Sequence, residues 1–255
     1  MRHVSDWLLS GAPRAAACDL YCFPHGGGTA AEYLRWSRDL RTARVHAVQL
    51  PGRVPRLTEA MPASMRELVE AFLAEVPLAT GRFVLFGHSL GALFAYEVTR
   101  ALAAAGHPLP ARLVVSGFRA PHLPYRGGQL HRLPDDELLD AVAGLHGGLP
   151  EEVPASAELR ELAAGALRAD YRVLETYVWR PGDPVPVPVP LTVFGGEDDR
   201  ITVAELEAWG EHTSAGASVR RFPGGHFYLR ERPAPVRRAL AGALASVRAE
   251  RSAPC

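Results

Sequence analysis

Cysteine is scarce in this chain, charge of either sign is not in excess, and no apolar run is long. Each shortage excludes a class of protein. The 255 residues include three cysteines, Cys18, Cys22 and Cys255. Cys18 and Cys22 are four positions apart, and on one extended strand their Cα atoms would stand about 13 Å apart, beyond disulfide reach. Cys255 is the last residue, not a site for prenylation. None of the ten histidines sits in an HExxH pattern, and no Cys/His spacing resembles a zinc site, so no metal is expected. Lys+Arg and Asp+Glu are both 28, which leaves no overall field favouring nucleic acid or a membrane surface. The longest uncharged stretches are too short to cross a bilayer, and one of them contains His88 and Ser89. The opening segment MRHVSDWLLSG carries Asp6 inside its only apolar patch and lacks a signal-peptide core. The expectation is a cytoplasmic protein with neither a nucleic-acid nor a membrane partner.

What is present is the composition of an ordinary globular chain, 47% hydrophobic and 22% charged. Strand-like runs at 19–23, 45–50, 82–87, 112–117, 190–196 and 218–222 alternate with helical patterns, including 65–76 and the segment after Ser89. Such alternation implies βαβ units, an α/β class and a mostly parallel sheet covered by helices, within one domain over 1–255. From about Pro121 to Trp179 the rhythm breaks and no strand pattern occurs. Helices are expected over 134–145 and 156–179, the second with Leu159, Leu162, Ala163, Ala166, Leu167, Tyr171, Leu174 and Val178 near one face. Residues 121–179 are therefore expected to form a helical lid inserted on top of the sheet. The proline-rich run 181–190 brings the chain back, stiff and extended, into the next strand.

The chemistry centres on GHSLG, residues 87–91, which fits G-x-S-x-G between a strand-like run and a helical one. That context is what a nucleophile elbow requires: the turn strains the serine backbone, and Gly87 and Gly91 keep side chains out of the crowded space. The bare pattern is weak; the flanking elements make it specific. A serine hydroxyl needs a base, and His226, in the glycine turn FPGGHFYL (222–229), lies where an imidazole reaches the elbow. His88 is nearer in sequence but points away from the reactive face and packs under the elbow. The acid is expected after a late strand, in FGGEDDRIT (194–202). Counting G-x-x-D from Gly196 selects Asp199 and from Gly195 selects Asp198; Asp199 is favoured. An oxyanion hole needs two backbone N–H groups, assigned to Leu90, after the nucleophile, and Gly26, in the loop FPHGGGTA (23–30). GGGTAA (26–31) also matches a dinucleotide fingerprint, but VQLPGR (48–53) has Gln49 and no acid where that site needs one, so no cofactor is expected.

With these residues assembled, the chain resembles the type II thioesterases of polyketide and nonribosomal-peptide biosynthesis, within the α/β-hydrolase fold. The resemblance is carried by CFPHGGGTAAEY, VQLPGRVPR, LFGHSLGALFAYEV, ALRADYRVLETY and FPGGHFYL, in family order over most of the chain. It departs at Gly26, where alanine is the family's usual residue, and after the acid, where a proline is expected. The resemblance implies hydrolysis of acyl groups from the phosphopantetheine arm of an acyl or peptidyl carrier protein, clearing stalled or aberrant chains from a synthase. The residues alone reach only a serine acyl hydrolase. A stand-alone carboxylesterase or lipase, or an idle binding scaffold, are the alternatives. Because carrier proteins are generally acidic, Arg53, Arg56, Arg119 and Arg126 are expected to ring the entrance.

Overall fold

β-Branched and aromatic residues in short runs build the strands, and their alternation sends neighbouring side chains into opposite faces of one sheet. In β4 (Phe83–His88), Phe83 and Leu85 enter one core and Val84 and Phe86 the other. The computed structural model describes residues 5–11, 16–146, 153, 156–180 and 186–249; Cys255 and residues 181–185 of the proline-rich run lie outside them. The expected strands are β2 (Cys18–Phe23), β3 (Ala43–Val48), β4, β5 (Arg112–Ser116), β6 (Leu191–Gly196) and β7 (Ala217–Phe222). One strand escapes sequence reading: β1 (Leu8–Gly11), four residues with no alternation, pairs antiparallel with β3 at the sheet edge. Cys18 and Cys22 both lie on β2, buried and as free thiols.

The seven-stranded sheet has the order β1-β3-β2-β4-β5-β6-β7, and every pairing except β1·β3 is parallel. One face packs against α2 (Met65–Glu75) and α3 (Leu90–Ala104), through Leu68, Phe72, Leu93 and Phe94. The other packs against α1 (Ala30–Leu34) and the final helix, α6 (Pro233–Ala249), through Tyr33, Val236, Leu240 and Leu244. From β2 the chain steps one way, to β3, and from β4 onward it steps the other way. β2 and β4 are therefore neighbours at a topological switch point, and the loops leaving their carboxyl ends flank a crevice. This places the glycine loop and Ser89 side by side.

Among the described residues between β5 and β6 there is no strand; the segment carries α4 (Asp135–His146), α5 (Ala157–Glu175) and a short turn at Leu130–Arg132. These pack on one another in a small core of their own, made by Leu130, Leu138, Leu139, Val142, Ala164, Leu167 and Tyr171. The buried face of α5 is rotated from the expected one. Leu159 and Leu162 are exposed, as is Val178 beyond the helix, while Ala164, Leu167, Asp170, Tyr171 and Val173 are buried. A charged residue, Asp170, is among those that the helix buries. The return segment keeps its extended form at Val187, which bridges Thr213 in parallel. Among the described residues, no helix is long and apolar enough to cross a membrane.

Candidate active site

Ser89 sits at φ 54°, ψ −120°, the only non-glycine residue with positive φ among those described. Such a conformation costs on the order of 1–3 kcal/mol and persists only where the surroundings enforce it. Here two backbone crossings enforce it. A Cβ at position 87 would lie 1.9 Å from the Gly91 carbonyl oxygen, and one at position 91 would lie 2.1 Å from that of Phe23. Strand β4, helix α3 and the end of β2 meet so closely that only glycine fits at the contacts. The Ser89 N–H donates to the Ser116 carbonyl at 2.8 Å, tying the elbow to β5. His88 points beneath the elbow, as expected, with Nδ1 2.9 Å from Ser116 Oγ, which in turn contacts the Tyr228 hydroxyl.

Ser89, Leu90, Gly26 and His226 line one small cleft, together with His25, Val142, Asp170, Tyr171, Leu174 and Phe227. His226 follows β7 in the glycine turn, and its Nδ1 lies 2.9 Å from Asp199 Oδ2, with both side chains buried. Asp199 is thus the acid at the histidine, whereas Asp198 is exposed and uses its backbone N–H on the Gly224 carbonyl. Burial disfavours the Asp199 anion. The hydrogen bond and charge of His226, with the N–H groups of Arg200 and Ile201, outweigh that and hold the carboxyl below its ordinary pKa. An anionic acid at Nδ1 sets the tautomer: Nδ1 carries the proton and Nε2 is the basic nitrogen.

Opposite the elbow, residues 25–28 form a tight turn closed by the Gly28 N–H on the His25 carbonyl, 2.9 Å. Gly27 takes φ +75°, as the third residue of a type II turn must. Gly26 has no such need: a Cβ there would lie 3.8 Å from Asp170 Cβ, an ordinary contact. His25, for which the sequence pattern offers no role, is buried at this turn. Burial drags its pKa down to about 3, helped by the charges of Arg230, His226 and Arg53 and opposed by Glu32. It is a neutral imidazole whose Nε2 accepts from Arg230 at 2.8 Å and whose Nδ1–H donates to the Tyr33 hydroxyl at 3.1 Å. Gln49 is also structural, accepting the Ala30 N–H at the start of α1 and donating to the Val54 carbonyl, both at 2.8 Å.

The arginines divide. Arg53 and Arg56 are only 4% and 5% exposed and cannot ring an entrance. Arg53 reaches inward to Asp170 and to the Pro51 carbonyl. Arg56 holds Glu59 and the Gln49 carbonyl and stacks over Trp7. Both follow β3, and the loop folds their guanidinium groups into the body, where fixed carbonyls and carboxylates compensate them. Arg119 is half-buried and donates to the Leu123 and Pro124 carbonyls, so its charge too serves the loop. Only Arg126 stands out in solvent, 79% exposed, with Glu205 4.0 Å away. Asp170, the partner of Arg53, is the site residue that sequence reading missed most plainly. Its signal was a carboxylate at helical spacing between Leu167, Tyr171 and Leu174.

Known proteins share both the sequence and the fold of this chain. Residues 19–243 match the thioesterase domain family. The gramicidin S biosynthesis protein GrsT of Aneurinibacillus migulanus is 35% identical over 232 residues, covering 89% of this chain and 90% of that protein. Thioesterase PikA5 of Streptomyces venezuelae is 38% identical over 224 residues, covering 86% of this chain and 78% of that one. The structure of BorB, a type II thioesterase from the borrelidin biosynthetic cluster, superposes with a TM-score of 0.80 at 35% identity, covering 97% of this chain and 99% of that one. With this extent of match and a serine elbow at the switch point of the sheet, the chain belongs to the thioesterase domain family, on the α/β-hydrolase fold.

Proposed function

We propose that this thioesterase is of the type II kind and hydrolyses acyl groups from the phosphopantetheine arm of carrier proteins serving a polyketide or nonribosomal-peptide synthase. The observation that carries the reading is that His226, hydrogen-bonded to Asp199, lines the same cleft as Ser89. The kinship with proteins named for gramicidin S biosynthesis and for the borrelidin cluster supports the substrate class.

In this reading His226 Nε2 takes the Ser89 proton as Oγ attacks the thioester carbonyl. Asp199 keeps the imidazole in the required tautomer and stabilises its cation. The N–H groups of Gly26 and Leu90 receive the negative charge on the carbonyl oxygen. The C–S bond then breaks, and the pantetheine leaves as a thiol with the proton held by His226, giving an acyl-serine. Water, deprotonated by His226, attacks that ester; the carboxylic acid leaves and Ser89 regains its proton. Val142, Tyr171 and Leu174, contributed by the helices between β5 and β6, line the cleft where the acyl chain would lie.

The test is turnover of a panel of acyl-carrier-protein thioesters beside the same acyl groups on a small thiol and on simple esters. Ser89→Ala, which removes one oxygen at a turn, should keep the fold and lower turnover on the order of 10⁴-fold or more. A tenth of wild-type activity in that variant, or preference for simple esters, refutes the reading.

A further inference from the structure

Three segments far apart in sequence meet at one carboxylate oxygen. Asp170, in the middle of α5, accepts the Gly27 N–H on Oδ2 at 2.7 Å. The Arg53 guanidinium, from the loop after β3, contacts the same oxygen, and both side chains are almost fully buried. Leu167, one turn earlier on α5, packs on Gly27: a Cβ there would lie 2.9 Å from Leu167 Cδ2. Helix α5 is therefore seated directly on the turn that holds Gly26.

Resting on the catalytic reading above, we propose that Asp170, neutralised by Arg53, is a positioning residue that aims the Gly26 N–H at the reacting carbonyl oxygen.

The physical need is plain. Residues 26–28 are three consecutive glycines, the residues with the widest choice of φ and ψ. An oxyanion donor works only if its direction is set before the reaction. The Gly28 N–H closes the turn on His25, but that bond leaves the tilt of the peptide planes within the turn open. Fixing the Gly27 N–H on Asp170 fixes the plane adjoining the one that carries the Gly26 N–H. The carboxylate is poorly suited to a stabilising role. Its other oxygen, Oδ1, has no hydrogen-bond partner among the described residues, nor does Arg53 Nε. Burial raises the Asp170 pKa, with Arg53 and the Gly27 N–H opposing. A buried, half-satisfied ion pair of this kind is often matched or bettered in stability by apolar residues of the same volume. Geometry at Gly27 is what such residues cannot supply. The contact also joins the helical insertion to the catalytic loop, so the oxyanion hole is assembled only while α5 is seated.

The experiment compares two double variants on one carrier-bound thioester, with Ser89→Ala and wild type alongside. Asp170→Leu with Arg53→Met fills the buried volume and removes both charges and the acceptor. Asp170→Asn with Arg53→Met removes the charges but leaves an amide oxygen for the Gly27 N–H. Both should fold with near wild-type thermal midpoints. The leucine variant should lose on the order of 10²-fold in kcat, the size of a lost or misdirected oxyanion donor, with KM little changed. The asparagine variant should recover most of that loss. Should the leucine variant not fold, Asp170→Ala with Arg53→Met takes its place with the same expectation. The proposal is overturned if the variant without an acceptor keeps kcat within about threefold of wild type, since a lost donor costs far more. It is equally overturned if the asparagine variant is as slow as the leucine one. In either case a normal wild type and a dead Ser89→Ala leave the catalytic reading standing. Failure of those two controls refutes that reading instead.

Discussion

Gly91→Ala sets two physical effects against each other, and the structure decides between them. Gly91 is the second residue of α3, where alanine is intrinsically better than glycine by up to about 1 kcal/mol. Propensity alone therefore predicts a more stable protein. The added Cβ, however, would lie 2.1 Å from the Phe23 carbonyl oxygen and 2.6 Å from that of Pro24, against an ordinary contact of 3.4–4 Å. The obstacle is backbone: Phe23 is held beside Gly87 in the parallel ladder of β2 and β4, so it cannot give way like the tip of a side chain. Overpacking of this size costs roughly 3 kcal/mol, leaving a net loss of about 2 kcal/mol after the propensity gain. For a chain of this length that lowers the thermal midpoint by about 4–8 °C. Activity should suffer more than stability. Phe23 leads into the turn that carries Gly26, and a shift approaching 1 Å there costs on the order of 10²-fold in kcat. Gly26→Ala is the matched control, because its Cβ meets nothing closer than 3.8 Å and its φ is not positive. It should keep turnover and gain up to about 1 kcal/mol through a less flexible unfolded chain. Circular-dichroism melting and steady-state hydrolysis of both variants suffice. A Gly91→Ala protein that melts at or above wild type with full turnover refutes the steric argument.

Three other outcomes follow from particular contacts. Asp199→Asn should lower turnover on the order of 10⁴-fold by favouring the wrong imidazole tautomer, while Asp198→Asn, on an exposed side chain, should stay near wild type; the reverse order in a kinetic comparison defeats the assignment. The pKa of His25 falls from 6.5 to about 3 on folding, so between those values the unfolded chain binds a proton that the folded one refuses, and stability falls on acidification through that window. At pH 5 the loss from this one group is about 2 kcal/mol relative to pH 7.5, and His212, lowered to about 4 mainly by burial, adds a loss of the same sign. Urea midpoints at the two pH values measure it; equal midpoints contradict it, and His25→Gln should be less acid-sensitive. Finally, we propose that the insertion between β5 and β6 acts as a lid with α4 as its mobile part, because α4 packs in a core separate from those of the sheet. Hydrogen exchange should show weaker protection over 135–146 than over β4, and uniform protection would make it a fixed layer.

The parallel strands and the elbow were legible in the sequence because their signals are local. A run such as FVLFGH must be extended and buried on both sides, and Gly87 and Gly91 two positions either side of Ser89 announce a crowded turn wherever it folds. Chain order and a glycine turn point to His226. Asp199 over Asp198 was a matter of counting, and only the direction of each side chain at the end of β6 separates an acid at the histidine from a solvated one.

Other features depend on what lies across space. β1 is too short to carry a pattern and exists because β3 offers it a free edge. The buried face of α5 could not be phased from its leucines, since the packing of the helix on the glycine turn selects Asp170 for the interior and leaves Leu159 and Leu162 outside. The sharpest division falls at Arg53. In sequence it is a cation at the carboxyl edge of a sheet, and charge there reads as surface. A charge enters a protein interior only where a counter-charge is already fixed, and its partner stands 117 residues away. Fold class, the strained elbow at Ser89 and the glycine turn that carries His226 are readable along the chain, because backbone strain and hydrophobic period act between near neighbours. Which acid meets the histidine, which arginines are buried and what holds the glycine turn 26–28 emerge only once the chain is folded, because compensation of a buried charge is a property of the assembled fold.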